Sequence, residues 1–209
     1  MKQMRYPAVP LVTHTPYFNL WSMDDVPTCH WTGKPQVLQG IFQVGRRKYG
    51  FLGATDALPM QLRQVTVEAC STTYVLESPE ARLTLQFTSP LLLDDLQLLA
   101  RPITYIAITA QGRHGRPLPP CTVSLVADET LCLDHAGQYP VEYGEAVGPG
   151  FAAGTLASGV QEVLNRSGDD VRIDWGKVYL AVETGGRVAL KEEGERCAIQ
   201  ADRELQEGK

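Results

Sequence analysis

The feature that most restricts what this chain can fold into is a recurring two-residue alternation of apolar and polar side chains. It runs through residues 37–44, 64–77, 82–87, 103–110, 122–127 and 177–183. Successive side chains on an extended strand point to opposite faces, so a period of two marks strands with one face in a core and one toward solvent. Turn chemistry separates these runs. Val44-Gly45-Arg46-Arg47-Lys48 reads as a hairpin loop with glycine supplying an unusual backbone angle, and Glu77-Ser78-Pro79-Glu80 divides two strands rich in Thr, Val, Leu and Tyr. Many short strands joined by tight turns predict a mainly β fold, an antiparallel β-sandwich with little helix.

Helix-forming composition is confined to residues 91–100, which Asp94 and Asp95 introduce as N-terminal caps, and to residues 198–206. A proline-rich link over 116–120 and a glycine-rich stretch over 137–154 read as long surface connections. The tail RELQEGK is charged and starts like a helix. This organisation predicts a sandwich domain over residues 1–190 and, over 191–209, a linker or the start of a further domain.

Composition narrows the function classes. The net charge is −5 and the arginines are scattered along the chain without interleaved aromatics, which argues against a nucleic-acid surface, since phosphate binding needs clustered cations. The five cysteines are odd in number and widely spaced, so neither a disulfide scaffold nor a structural zinc site is expected. His14, Cys29 and His30 fit no metal-ligand spacing, and neither a metal nor a cofactor is expected. The N-terminus lacks the apolar run of a secretion signal and no stretch is long enough to span a bilayer, so a cytoplasmic protein with reduced thiols and no membrane contact is the expectation. No nucleophile elbow, phosphate-cradling glycine loop or Cys/His pair occurs.

Two clusters break the strand pattern. In WSMDDVPTCHWTG, Asp24 and Asp25 can pair with a hydroxyl or amine, Trp21 and Trp31 offer flat faces that stack on a sugar ring or an amide, and His30 can carry a proton. A packed loop with tryptophans in the core is the plainer reading. In GDDVRIDWG, alternation around Val171 and Ile173 places Asp170, Arg172 and Asp174 on one strand face, with Trp175 next to them. That face suits a salt-bridge ladder or an interdomain contact more than catalysis. The two tryptophan loops are expected to be neighbours, with Arg172 pairing Asp24 or Asp25.

Taken together, residues 8–25, 27–33, 40–53, 87–106 and 168–181, with runs such as FTSPLLLDDLQLLARPITYI and GDDVRIDWGKVYLA, resemble the N-terminal region of the glutaminase A family. Its members are large fungal and bacterial proteins that carry domains of unknown function. The resemblance covers residues 7 to 183. It implies a β-sandwich followed by a C-terminal α-helical toroid, an activity that hydrolyses glutamine to glutamate and ammonia, and loops that face a small amide substrate or the partner domain. The family's usual secretion signal is absent here, and no catalytic residue of the family maps onto these motifs. A chain of this extent is expected to show no glutaminase turnover by itself. The reading from another class is a stand-alone module that binds carbohydrate through its tryptophans.

Overall fold

Alternation becomes strand wherever one face finds a core. The structure, a computed structural model, describes residues 6–23, 28–193 and 196–207. About 53% of the chain is strand and 4% is helix, in several antiparallel sheets, so the fold is mainly β.

The chain opens with a small sheet of β1 (Val9–Thr13), β2 (Asn19–Ser22) and β3 (Thr28–Cys29). It continues through β4 (Leu38–Val44), β5 (Arg47–Leu52), β6 (Leu58–Pro59), β7 (Gln61–Val67), β8 (Ser71–Glu77) and β9 (Ala81–Thr88). After the short helix α1 (Leu96–Leu99) come β10 (Tyr105–Gly112), β11 (Cys121–Asp128), β12 (Val141–Gly148), β13 (Phe151–Ser158), β14 (Lys177–Glu183), β15 (Arg187–Glu193) and β16 (Arg196–Leu205). A four-stranded sheet runs β10-β9-β8-β7, a six-stranded sheet β15-β16-β11-β4-β5-β6, and a three-stranded sheet β12-β13-β14. Only the β5–β6 pair is parallel among these ladders.

One core joins the layers. On β9 the residues Ala81, Leu83, Leu85 and Phe87 point inward while their neighbours face out, and Leu83, Leu85 and Phe87 pack with Phe42 and Ile199. Each of these large side chains contributes about 1.5–3 kcal/mol by leaving water. The β12–β14 sheet lies close on β15 and β16, so close that a Cβ on Gly154 would stand 2.4 Å from Ile199 Cγ2. Only glycine fits at that crossing. The β4–β5 hairpin turns where Gly45 takes a φ of 58°, in the left-handed region that a two-residue loop requires.

Three sequence expectations are corrected. Residues 198–206 have helical composition but form strand β16, which fills the slot between β15 and β11 and buries Ile199 and Ala201. Two ladders and a buried face outweigh a propensity preference of a few tenths of a kcal/mol per residue, roughly. The boundary drawn at residue 190 falls inside β15, and Arg196–Leu205 pairs into the six-stranded sheet. The glycine-rich 137–154 stretch is largely the β12–β13 hairpin, turned by Gly150 at a φ of 90°.

The helix read over 91–100 shrinks to the single turn α1. Asp95 caps it, its Oδ1 accepting from the Leu98 amide at 2.9 Å. Leu91, Leu92, Leu93 and Leu96 all stay exposed, so no packed face supports a longer helix.

Candidate functional site

The site lies at the end of the sandwich where β8 and β9 meet the N-terminal sheet. Thr72 Oγ1 donates to the Pro10 carbonyl at 2.6 Å and anchors β1 there. The link from β1 to β2 crosses Thr15, Pro16 and Tyr17, and a web of hydrogen bonds holds it open. Thr15 Oγ1 accepts from the Tyr17 and Phe18 amides, while Asn19 Nδ2 donates to the Thr15 and Pro16 carbonyls at 3.2 and 3.0 Å. Asn19 Oδ1 in turn accepts from the Trp31 amide at 3.0 Å.

His30 sits beneath this link, fully buried. Its Nε2 lies 3.0 Å from the Pro16 carbonyl and its Nδ1 2.9 Å from Thr32 Oγ1. The carbonyl can only accept, so Nε2 carries the proton and Nδ1 accepts from the Thr32 hydroxyl. Burial holds the imidazole below its ordinary pKa, which the Pro16 carbonyl only partly offsets, and the neutral ring is a strut. Trp31 donates its indole N–H to the same carbonyl at 3.1 Å and leaves its ring 49% exposed.

The GDDVRIDWG segment is not a strand of any sheet. It turns at Asp169 and Asp170, is flanked by Gly168 and Gly176, both at positive φ, and docks through the Ile173 amide onto the Tyr17 carbonyl at 2.8 Å. Alternation survives in part: Arg172 and Asp174 turn inward and are buried, but Asp170 is on the surface, paired with Lys34. Trp175 packs on Tyr17 with ring centroids 5.7 Å apart. The Trp31 and Trp175 loops therefore meet on either side of the Pro16–Tyr17 link.

Asp24 and Asp25 lie outside the described residues. Arg172 donates Nε and Nη2 to Asp134 Oδ1, at 3.1 and 3.0 Å, an aspartate outside both tryptophan clusters. Arg166 bridges two carboxylates, with Nη1 3.0 Å from Asp134 Oδ2 and Nη2 2.8 Å from Asp174 Oδ2. Gln138 adds a hydrogen bond to Asp174 Oδ2 at 3.1 Å. Burial pushes the Asp134 carboxyl up, but the hydrogen bonds and charges of Arg166 and Arg172 outweigh it, leaving the group below the usual carboxylate range. Two arginines and two aspartates make a neutral cluster. Asp174 Oδ1 and Arg166 Nε are buried in it without a hydrogen-bond partner among the described residues.

Sequence reasoning missed Asn19, Asp134 and Arg166. Asp134 stands 38 residues from Arg172, so no local spacing announces the pair. Arg166 just upstream of the GDDVRIDWG run was the one legible signal.

Above this floor a groove of about 320 Å³ is lined by Thr13, His14, Thr15, Pro16, Trp21 and Trp31, with Asn19 at its base. His14 stacks on Phe18 and lies 3.3 Å from Thr104 Oγ1, joining the groove to the segment that carries the exposed leucines. The groove can hold a ring or an apolar side chain against two indoles. Among the described residues, His30, Arg172 and Asp174 are engaged below it. Among the described residues no three His, Cys, Asp or Glu side chains converge as a metal site would need.

The structure sets an ion-paired floor under an aromatic surface at one end of a sandwich, and comparison with known proteins places the chain in a family. Residues 70–207 match the model described as domain of unknown function DUF5127, and the chain belongs to that family. Residues 1–65 match a second, domain of unknown function DUF4964. No curated protein matches the chain. The junction of the two matches falls at the β7–β8 turn, yet β7 pairs with β8 and β4 pairs with β11. Both matched regions share one core.

Proposed function

We propose that this chain is the β-sandwich module of a glutaminase A-like amidohydrolase, a protein that converts glutamine to glutamate and ammonia through a C-terminal helical toroid. In this reading the module shapes interdomain and substrate-facing loops and supplies no reacting group. One observation carries it: the charged side chains of the site neutralise one another below the surface, while apolar side chains, Trp31 at the groove and Leu91, Leu92, Leu93 and Leu96 on the segment after β9, are left exposed. Interfaces have such apolar centres, and monomeric proteins rarely leave large contiguous ones bare. A cytoplasmic location belongs to the same proposal, supported by five free cysteines, of which Cys132 is pushed up to about 12 by burial and is inert.

The test is ammonia release from glutamine by the 209-residue chain and by the polypeptide that the full reading frame encodes. Turnover is expected from the second alone. A full reading frame that adds a helical region and still releases no ammonia refutes the proposal.

The groove between Trp21 and Trp31 favours a second reading, an accessory module that binds carbohydrate. Sugar titrations followed by tryptophan fluorescence check it, with Trp31→Ala expected to abolish the signal. A reading frame that stops at Lys209 directs attention to this reading.

A further inference from the structure

At the opposite end of the four-stranded sheet, about 25 Å along the eight residues of β9 at ~3.3 Å each, the fold gathers arginines that the sequence scatters. Glu77, at the end of β8, is 5% exposed and is met by three guanidinium groups. Arg82, its cross-strand partner on β9, gives Nε and Nη2 to Oε1 at 3.0 and 2.7 Å. Arg63 gives Nε to Oε2 at 2.7 Å, and Arg113 Nη2 stands 3.1 Å from the same oxygen. Arg63 reaches Glu77 because the β7–β8 register slips between Leu62 and Gln64, a bulge that adds one residue and aims it outward. Beside them Glu80 Oε1 accepts from Arg47 Nη1 at 2.6 Å and from the Tyr49 hydroxyl at 3.2 Å.

A carboxylate offers about four lone-pair sites, and those of Glu77 are filled. The hydrogen bonds of Arg82 and Arg63 hold its carboxyl below the ordinary range. Folding needs one arginine to compensate one buried carboxylate. Four arginines against two glutamates leave an excess of two positive charges on a chain whose net charge is −5. The heads of Arg63 and Arg82 stay about half in water, with side-chain exposures of 44% and 55%. Both terminal nitrogens of Arg63 and the outer one of Arg82 have no protein partner among the described residues. Arg46, exposed beside Arg47 in the β4–β5 turn, adds to the excess, and Glu207 near the Leu118 amide offsets one charge at the rim.

We propose that this cluster docks an acidic polypeptide segment, whose carboxylates pair with the free guanidinium forks and relieve the like-charge repulsion that the fold leaves uncompensated. Guanidinium groups bind carboxylates and phosphates in the same two-pronged way. The surroundings favour the peptide. Among the described residues no exposed ring contacts the arginines to stack a base, since Tyr49 is buried, and the cluster lies at strand ends and turns with no helix to enter a groove. The proposal does not depend on the amidohydrolase reading.

The test is fluorescence anisotropy with a fluorescein-labelled hexaglutamate peptide and the full chain. Saturable binding is expected at about 50 mM salt and its loss at about 500 mM, where screening shortens to a few ångströms. Arg63→Gln, which leaves Glu77 two arginines, weakens binding about fivefold, and Glu80→Gln, which removes a competing charge, tightens it by a similar factor. Thermal unfolding checks that each variant folds. Arg46→Glu, outside every ion pair described, carries the test if Arg63→Gln does not fold. Absence of binding at low salt, indifference to all three substitutions, or tighter binding of a hexathymidylate of matched charge count overturns the proposal.

Discussion

Removing the Asp134 carboxylate probes the ion-paired floor directly. In Asp134→Ala, Arg172 loses the two hydrogen bonds and the ion pair described for it while its side chain remains 4% exposed. Breaking a buried pair from one side costs about 3–5 kcal/mol, because the remaining charge is uncompensated in a poorly polarisable setting. Arg166 keeps Asp174 and is one-third exposed, so its loss adds little. With a cost near the lower bound, about 3 kcal/mol, the melting temperature of a chain this size falls by about 6–12 °C. The companion variant is Asp134→Ala with Arg172→Met, which removes both charges and fills the space with an apolar chain. It is expected to recover at least about 2 kcal/mol over Asp134→Ala alone, since most of the cost is the stranded charge. Urea unfolding followed by tryptophan fluorescence, with thermal circular dichroism alongside, measures both. The reasoning fails if Asp134→Ala loses less than about 1 kcal/mol or if the double variant is no more stable than the single one.

A polypeptide of residues 70–207 alone, the extent of the larger family match, is expected not to fold, because it lacks β4, β5 and β7, which leaves one edge each of β11 and β8 unpaired and removes Phe42, Tyr49 and Phe51 from the core; a cooperative urea transition of that fragment refutes this. Gly154→Ala is expected to cost about 1–3 kcal/mol, since the new methyl would stand 2.4 Å from Ile199 Cγ2 and 2.9 Å from Val188 Cγ1 on opposed sheets; equilibrium unfolding measures it. Burial lowers the pKa of His14 and His30 below the ordinary 6.5, so each contributes stability that is full above that value and is lost as pH falls through it toward the folded-state pKa. The unfolding free energy is accordingly expected to drop between pH 7 and pH 5, and an unchanged or rising value over that window counts against neutral buried rings.

Local pattern and tertiary placement divide this protein between them. Period-two alternation and turn residues are properties of neighbours in the chain, so the strands over 38–44, 82–87, 122–127 and 177–183 and the hairpin at Gly45 were legible without coordinates. So was the departure of the two tryptophan clusters from that pattern. The sequence could not reveal that Ala198–Leu205 would be a strand, because its conformation is decided by the slot between β15 and β11 and not by its own helical preference. Nor could spacing show that Asp134 answers Arg172, or that Arg63, Arg82 and Arg113 close on Glu77. Charge attraction acts through space with a reach of about 8–10 Å at ordinary salt, and only the tertiary fold brings residues tens of positions apart within it.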